Sequence, residues 1–91
     1  MKNAILAISE RKETLKQIRK ELSEQYEIIT FNNLLDALDM LRESDFDIVL
    51  LDEYLTWFNF AEAKRKLNGI GKDFVVVGLL DDETEEVLQE L

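Results

Sequence analysis

Four short aliphatic runs alternate with four amphipathic segments along the 91 residues, and this alternation is the strongest constraint on the fold. Each aliphatic run is typical of a buried strand, while the segments between them repeat apolar residues at helical spacing among charges. Connections this short favour right-handed crossovers between neighbouring parallel strands. The sequence therefore predicts an α/β fold with a parallel sheet, built as a single domain over residues 1–91.

The strands are predicted from runs that are rich in Ile, Val and Leu. The four runs are "NAILAIS" (3–9), "YEIITF" (26–31), "FDIVLLD" (46–52) and "FVVVGLL" (74–80). The second run is the most polar, which places it at an edge of the sheet, and the third is apolar enough to be central. The carboxylate that ends the third run, Asp52, is thereby brought to the carboxyl edge of the sheet.

The helices are predicted from apolar stripes and capping residues. The first covers about 10–24 with Ser9 as its N-cap, and the third covers about 61–68. The second begins after Asn32 or Asn33, and its apolar stripe consists of Leu34, Leu35, Leu38 and Leu41. The fourth is capped by Asp81 or Asp82 with Glu85 behind, and its apolar face consists of Val87, Leu88 and Leu91.

Charge and composition exclude several classes of function. The net charge is −9, and the basic residues are mixed with acids at helical spacing, as in "ERKETLKQIRKE". Such a chain repels phosphate backbones and anionic lipids, so neither nucleic acid nor a membrane is expected as a partner. The sequence has no Cys and no His, which removes disulfides, thiolate chemistry and the commonest general base. The apolar stretch at the amino terminus is too short for a signal peptide, so a cytoplasmic protein is expected.

The order and spacing of these segments resemble the receiver domain of response regulators, the CheY-like domains of two-component signal transduction. "FDIVLLD" resembles the third strand of that family, whose last residue is the phospho-accepting aspartate, here Asp52. "DALDMLRESDFDIVLLD" and "VVVGLLDDETEEVLQEL" resemble the stretches before it and after it. The resemblance implies a flavodoxin-like three-layer sandwich with strand order 2-1-3-4, truncated so that strand five and helix five are absent.

The family's phosphorylation chemistry needs Mg²⁺ held by oxygen ligands, and the resemblance implies which residues would supply them. They would be Glu10, Asp52 and the backbone carbonyl of Tyr54, and any Mg²⁺ binding is expected to be weak. The family's pair of acids after strand one is replaced by "SE", in which Ser9 carries no carboxylate. The hydroxyl residue after strand four falls on Leu79 or Leu80, and the lysine of strand five is absent. These departures predict a degenerate site with no catalytic residue, in a protein that is not an enzyme.

The truncation predicts self-association. Strand four becomes an edge with no proline and no charge, and the sheet face that helix five would cover is left to helix one alone. We therefore expect a homodimer, formed through strand four and the bare face. The candidate interface residues are Phe74, Val75, Val76, Val77, Leu79, Leu88 and Leu91.

Three aromatic residues, Trp57, Phe58 and Phe60, follow Asp52 where the family has a Pro-Gly turn and a further Gly. They are either a cover over the end of the sheet or an aromatic patch that contacts a partner.

Two functions follow. The first is a pseudo-receiver that homodimerises and binds a protein partner, such as a histidine kinase or another signalling protein, without phosphorylation. The alternative is a minimal response regulator that is phosphorylated on Asp52 with Mg²⁺ in a phosphorelay. An unrelated doubly wound enzyme or nucleotide binder is disfavoured, because no glycine-rich phosphate loop lies between a strand and a helix.

Overall fold

A computed structural model of the chain describes residues 3–79 and 84–91. The strands are β1 (Asn3–Ile8), β2 (Tyr26–Phe31), β3 (Ile48–Asp52) and β4 (Val75–Leu79). The helices are α1 (Lys12–Leu22), α2 (Leu34–Glu43), α3 (Phe60–Asn68) and α4 (Thr84–Glu90). The predicted alternation of strands and helices is therefore confirmed, with boundaries that differ by up to a few residues.

The sheet is parallel throughout, with strand order β2-β1-β3-β4. The predicted order is confirmed, and the polar second strand lies at an edge as expected. Asp52 is in register with Leu79 of β4, so the carboxyl ends of β3 and β4 lie side by side. The loops that follow the strands therefore meet at one edge of the sheet, where doubly wound proteins place their functional sites.

One face of the sheet is covered by α2 and α3. Their apolar residues pack on alternate side chains of the two inner strands, which include Leu6, Ile8, Val49 and Leu51. Asn33 caps α2 by accepting a hydrogen bond from the backbone N–H of Asp36, so the second of the two predicted capping residues is the one used. Leu35 departs from its predicted stripe: it is 60% exposed, and Ala37 takes its place in the core.

The other face is covered by α1 and α4 together. Leu88 of α4 packs in the same buried cluster as Ile18 and Leu22 of α1, and the Tyr26 hydroxyl donates a hydrogen bond of 2.9 Å to the carbonyl of Leu91. The prediction that α1 alone covers this face was therefore wrong. The fourth helix covers the face that helix five covers in the family that the sequence resembles. Burial of its apolar side chains against β3 and β4 favours this position.

This packing changes the availability of the predicted interface residues. Leu79 and Leu88 are buried inside the chain, so neither is available to a partner subunit. Leu91 is half-buried beside α1, and three residues around β4 are partly buried, namely Phe74, Val76 and Val77. Val75 is 62% exposed. The cap predicted at Asp81 or Asp82 lies outside the described residues.

Candidate functional site

The carboxylate of Asp52 is the central polar group at the carboxyl edge of the sheet. Asp52 is the last residue of β3 and is completely buried. A buried carboxylate is costly unless it is paired and hydrogen-bonded. Its partners in this chain are the side chains of Ser9 and Arg11 and the backbone N–H of Tyr54.

Arg11 makes a bidentate ion pair with Asp52. Its Nη2 lies 2.7 Å from Oδ1 and its Nε lies 2.9 Å from Oδ2, so the guanidinium engages both carboxylate oxygens. The planar fork of arginine matches the geometry of a carboxylate, and such charge-assisted pairs are among the stronger hydrogen bonds in proteins. The guanidinium also lies over the ring of Tyr54, 5.2 Å from its centroid. Arg11 is therefore held from two sides.

Ser9 adds a second hydrogen bond to Asp52. Its hydroxyl donates to Oδ2 over 2.6 Å and accepts from the backbone N–H of Arg11 over 3.0 Å. The prediction that Ser9 caps α1 was wrong: the N-cap position is Arg11, which makes no side-chain cap hydrogen bond. The Ser9 hydroxyl instead fixes the turn between β1 and α1 so that Arg11 points back at Asp52.

Glu10 points away from this cluster. Its carboxylate accepts hydrogen bonds from the backbone N–H of Thr56, over 2.6 Å, and from the Thr56 hydroxyl. These contacts tie the loop after β1 to the loop after β3. The contact between Asp52 and Tyr54 is made by the Tyr54 N–H and not by the carbonyl predicted as a metal ligand, and Glu10 binds a different partner.

This arrangement does not fit a Mg²⁺ ion. Both oxygens of Asp52 are engaged by Arg11, and a guanidinium beside them repels a second cation. Within residues 3–79 and 84–91, no three acidic side chains converge on one point. The position of the family's hydroxyl group is also apolar, because Leu79 is the β4 residue in register with Asp52 and is buried; Leu80 lies outside the described residues.

The three aromatic residues after Asp52 differ in burial: two pack on the sheet and one is exposed. The Phe60 ring lies against Gly78 of β4, where an added Cβ would be 2.7 Å from the ring, so Phe60 covers the sheet. Phe58 packs against the same core, with Lys66 lying 5.6 Å from its ring centroid. Trp57 is 84% exposed.

Arg11 is the site residue that the sequence did not reveal. It lies in a charged run that is typical of a solvated helix face, and only the turn formed by Ser9 directs it inward. The available signal was the loss of an acid at Ser9, since a buried aspartate without its metal needs another cation.

Among the described helices, none is both long and apolar enough to cross a membrane.

Comparison with solved structures identifies the fold as that of response regulator receiver domains. The BeF3-activated receiver domain of DrrB superposes with a TM-score of 0.71 at 24% identity, over 97% of this chain and 75% of that one. The response regulator DrrB of Thermotoga maritima, an OmpR/PhoB homolog, gives 0.70 at 24% identity, over 99% of this chain and 42% of that one. Vibrio cholerae CheY4 gives 0.67 at 16% identity, over 99% of this chain and 98% of CheY4.

No protein-family model matches the sequence, and no curated protein matches it significantly. The structural likeness therefore defines the fold, a four-stranded version of the receiver architecture.

Proposed function

We propose that this chain is a non-catalytic pseudo-receiver of the cytoplasm, which binds a protein partner without being phosphorylated. One observation carries the proposal: Arg11 engages both oxygens of a completely buried Asp52. A phospho-accepting carboxylate needs a free oxygen for attack, together with a cation that can also bind the incoming phosphoryl group. Arg11 neutralises Asp52 but blocks it at the same time.

The pairing of Arg11 with Asp52 also explains why the site keeps its acid. Removing the carboxylate alone would leave the Ser9 hydroxyl and the guanidinium without their acceptor in a partly buried place. In this proposal Asp52 is structural, because it fixes the two loops that follow β1 and β3. Those loops then present a permanent surface instead of a switchable one.

A minimal phospho-accepting receiver is the second candidate, and one observation favours it. Asp52 lies at the carboxyl end of β3, and Arg11 is 32% exposed, so the guanidinium has an open side toward which it can move. In this candidate a histidine kinase would donate the phosphoryl group to Asp52.

Intact mass after incubation with Mg²⁺ and a small-molecule phosphodonor separates the two candidates. We expect the wild-type protein to gain no phosphoryl group. The Asp52→Asn variant, which has no carboxylate at the site, is the matched control for modification elsewhere. A phosphoryl group on the wild type that is absent from Asp52→Asn would overturn the pseudo-receiver proposal and establish the second candidate.

The outer edge of β4 supports the further proposal of a homodimer. The backbone N–H of Val75 and the carbonyl of Leu79 bond toward β3, so the intervening Val76 and Gly78 direct their backbone groups outward. Within the described part of the chain, no strand pairs with that edge. Antiparallel pairing of two β4 strands would satisfy these groups and give a continuous eight-stranded sheet.

Sedimentation velocity at micromolar concentration tests the dimer. A proline at Val76 removes an outward N–H without removing a hydrogen bond to β3, so we expect Val76→Pro to be a folded monomer. Thr30→Pro makes the equivalent change on the opposite edge strand, β2, and should leave the dimer intact. A monomeric wild type, or equal dissociation in both variants, would contradict pairing through β4.

A further inference from the structure

We propose that a groove beside Trp57 binds an amphipathic helix of a protein partner whose apolar stripe is flanked by Lys and Arg. This inference deepens the proposed function and rests on it, since it names the kind of partner that a pseudo-receiver would bind. The groove has a volume of about 430 Å³ and lies between the start of α2 and the loop after β3. Its lining consists of Glu10, Asn33, Leu34, Leu35, Leu55, Trp57 and Phe58.

The two walls of the groove carry exposed apolar side chains. Trp57 is 84% exposed on one wall and Leu35 is 60% exposed on the other, while Leu55 and Phe58 are anchored in the core. Large exposed apolar groups that face each other across a concave surface are typical of protein-binding sites. The bond between Glu10 and Thr56 holds the Trp57 loop against the rest of the edge, so the groove is largely preformed.

The charge around the groove selects the partner. Among the described residues that line it, Glu10 is the charged one. The first turns of the flanking helices α2 and α3 carry Asp36 and Glu62, and Lys66 lies over the Phe58 ring. The whole chain has a net charge of −9. An apolar segment flanked by Lys or Arg therefore meets a complementary field, whereas nucleic acid or an anionic membrane would be repelled.

A helix fits this groove better than an extended strand does. Strand addition requires a free backbone edge, and the free edges of this sheet belong to β2 and β4, whereas side chains form the walls of the groove. A helix places apolar residues at i, i+3, i+4 and i+7 along one stripe, which can lie between Leu35 and Trp57. Its basic residues, on either side of that stripe, would then face Glu10 and Asp36.

The test titrates the full chain with two synthetic amphipathic helices that share one leucine stripe. One carries Lys on its polar face and the other carries Glu. Trp57 is the only tryptophan in the chain, so its emission reports occupation of the groove directly. We expect saturable binding of the Lys peptide with a blue shift of Trp57, and binding of the Glu peptide at least tenfold weaker.

Two variants separate the groove from general attraction between opposite charges. Leu35→Asp adds negative charge but removes one wall, and we expect it to weaken binding of the Lys peptide at least tenfold. Ile29→Asp makes the same change at an exposed apolar residue of β2, outside both the groove and the proposed dimer edge, and should bind as the wild type does. Circular dichroism establishes that both variants are folded.

No saturable binding of the Lys peptide, equal binding of both peptides, or undiminished binding by Leu35→Asp would overturn the groove proposal. The phosphodonor experiment has a separate readout. A phosphorylated Asp52 in a protein that still binds the Lys peptide would refute the pseudo-receiver and leave the groove standing. An unphosphorylated protein that fails to bind the Lys peptide would refute the groove proposal and leave the pseudo-receiver proposal standing.

Discussion

The guanidinium of Arg11 contacts both carboxylate oxygens of Asp52, at 2.7 and 2.9 Å, at the point where the receiver fold ends its third strand. Phosphorylation chemistry of the kind implied by the sequence resemblance needs a Mg²⁺ ion, which can dissociate. Here the balancing cation is covalently part of the chain. In the pseudo-receiver proposal this fixed cation stabilises the fold continuously and cannot leave, as expected of a structural site and not of a switch.

Removing that cation should destabilise the protein. Arg11→Ala leaves Asp52 buried with only the Ser9 hydroxyl and the N–H of Tyr54 as partners. We expect the free energy of unfolding to fall by about 3 kcal/mol, the lower end for a broken buried ion pair, because two hydrogen bonds remain. Urea denaturation monitored by circular dichroism measures this loss.

Arg11→Lys is the matched control for that measurement. It keeps the positive charge but cannot form two parallel hydrogen bonds with Asp52. The free energy of unfolding should therefore fall by about half as much as in Arg11→Ala. A change of less than about 0.5 kcal/mol in Arg11→Ala, as expected of an ordinary surface substitution, would show that the ion pair contributes little to stability.

Restoring the family's acid pair should create a metal requirement. Ser9→Asp combined with Arg11→Ala places a second carboxylate beside Asp52 and removes the internal cation. Without metal these like charges should destabilise the variant, and millimolar Mg²⁺ should raise its melting temperature by binding the folded state. The wild type is the control, and an equal Mg²⁺ response in both proteins would contradict this prediction.

The close contact between Gly78 and Phe60 predicts a coupled pair of substitutions. Gly78→Ala would place a Cβ 2.7 Å from the Phe60 ring, so it should lower the free energy of unfolding by about 1 kcal/mol. In a Phe60→Leu background the ring is gone, and the same substitution should be neutral or stabilising by about 0.5 kcal/mol, since glycine is unfavourable inside a strand. A double-mutant cycle measures the coupling, and additive effects would contradict the contact.

The packing of α4 on α1 predicts a large effect at Leu88. This side chain is buried among residues of α1, β1 and β3, so Leu88→Ala should lower the free energy of unfolding by about 3 kcal/mol. Leu35→Ala removes the same atoms from an exposed position and should change the free energy of unfolding by less than about 0.5 kcal/mol. Similar effects of the two substitutions would mean that α4 does not cover this face.

The sequence was sufficient for the fold because its local signals agree with one another. Aliphatic runs, capping residues and short connections all point to the same parallel order, and Asn33 caps its helix as predicted. The sheet face that α4 covers was not predicted, and the reason is physical. An apolar stripe such as Val87 and Leu88 indicates that a helix is buried but not on which face of the sheet, and the exposed surface of β3 and β4 decides that.

The site was predictable in position but not in chemistry. The place of Asp52 follows from the strand that it ends, whereas its partner depends on a turn of three residues. Arg11 and Glu10 are adjacent charges, and the sequence does not show which one faces the sheet. The Ser9 hydroxyl decides this by accepting from the N–H of Arg11, which directs Arg11 inward and leaves Glu10 to bind Thr56.

The most direct test of the central claim follows the Nε–H resonance of Arg11 by NMR while Mg²⁺ is added to the wild-type protein. If Arg11 is the resident cation of Asp52, this resonance should be protected from exchange and stay unmoved through millimolar Mg²⁺. A saturable shift or loss of the resonance as Mg²⁺ binds would show that the metal displaces Arg11. The protein would then be a receiver whose site can open, and Asp52 would be available to a phosphodonor, contrary to the pseudo-receiver proposal.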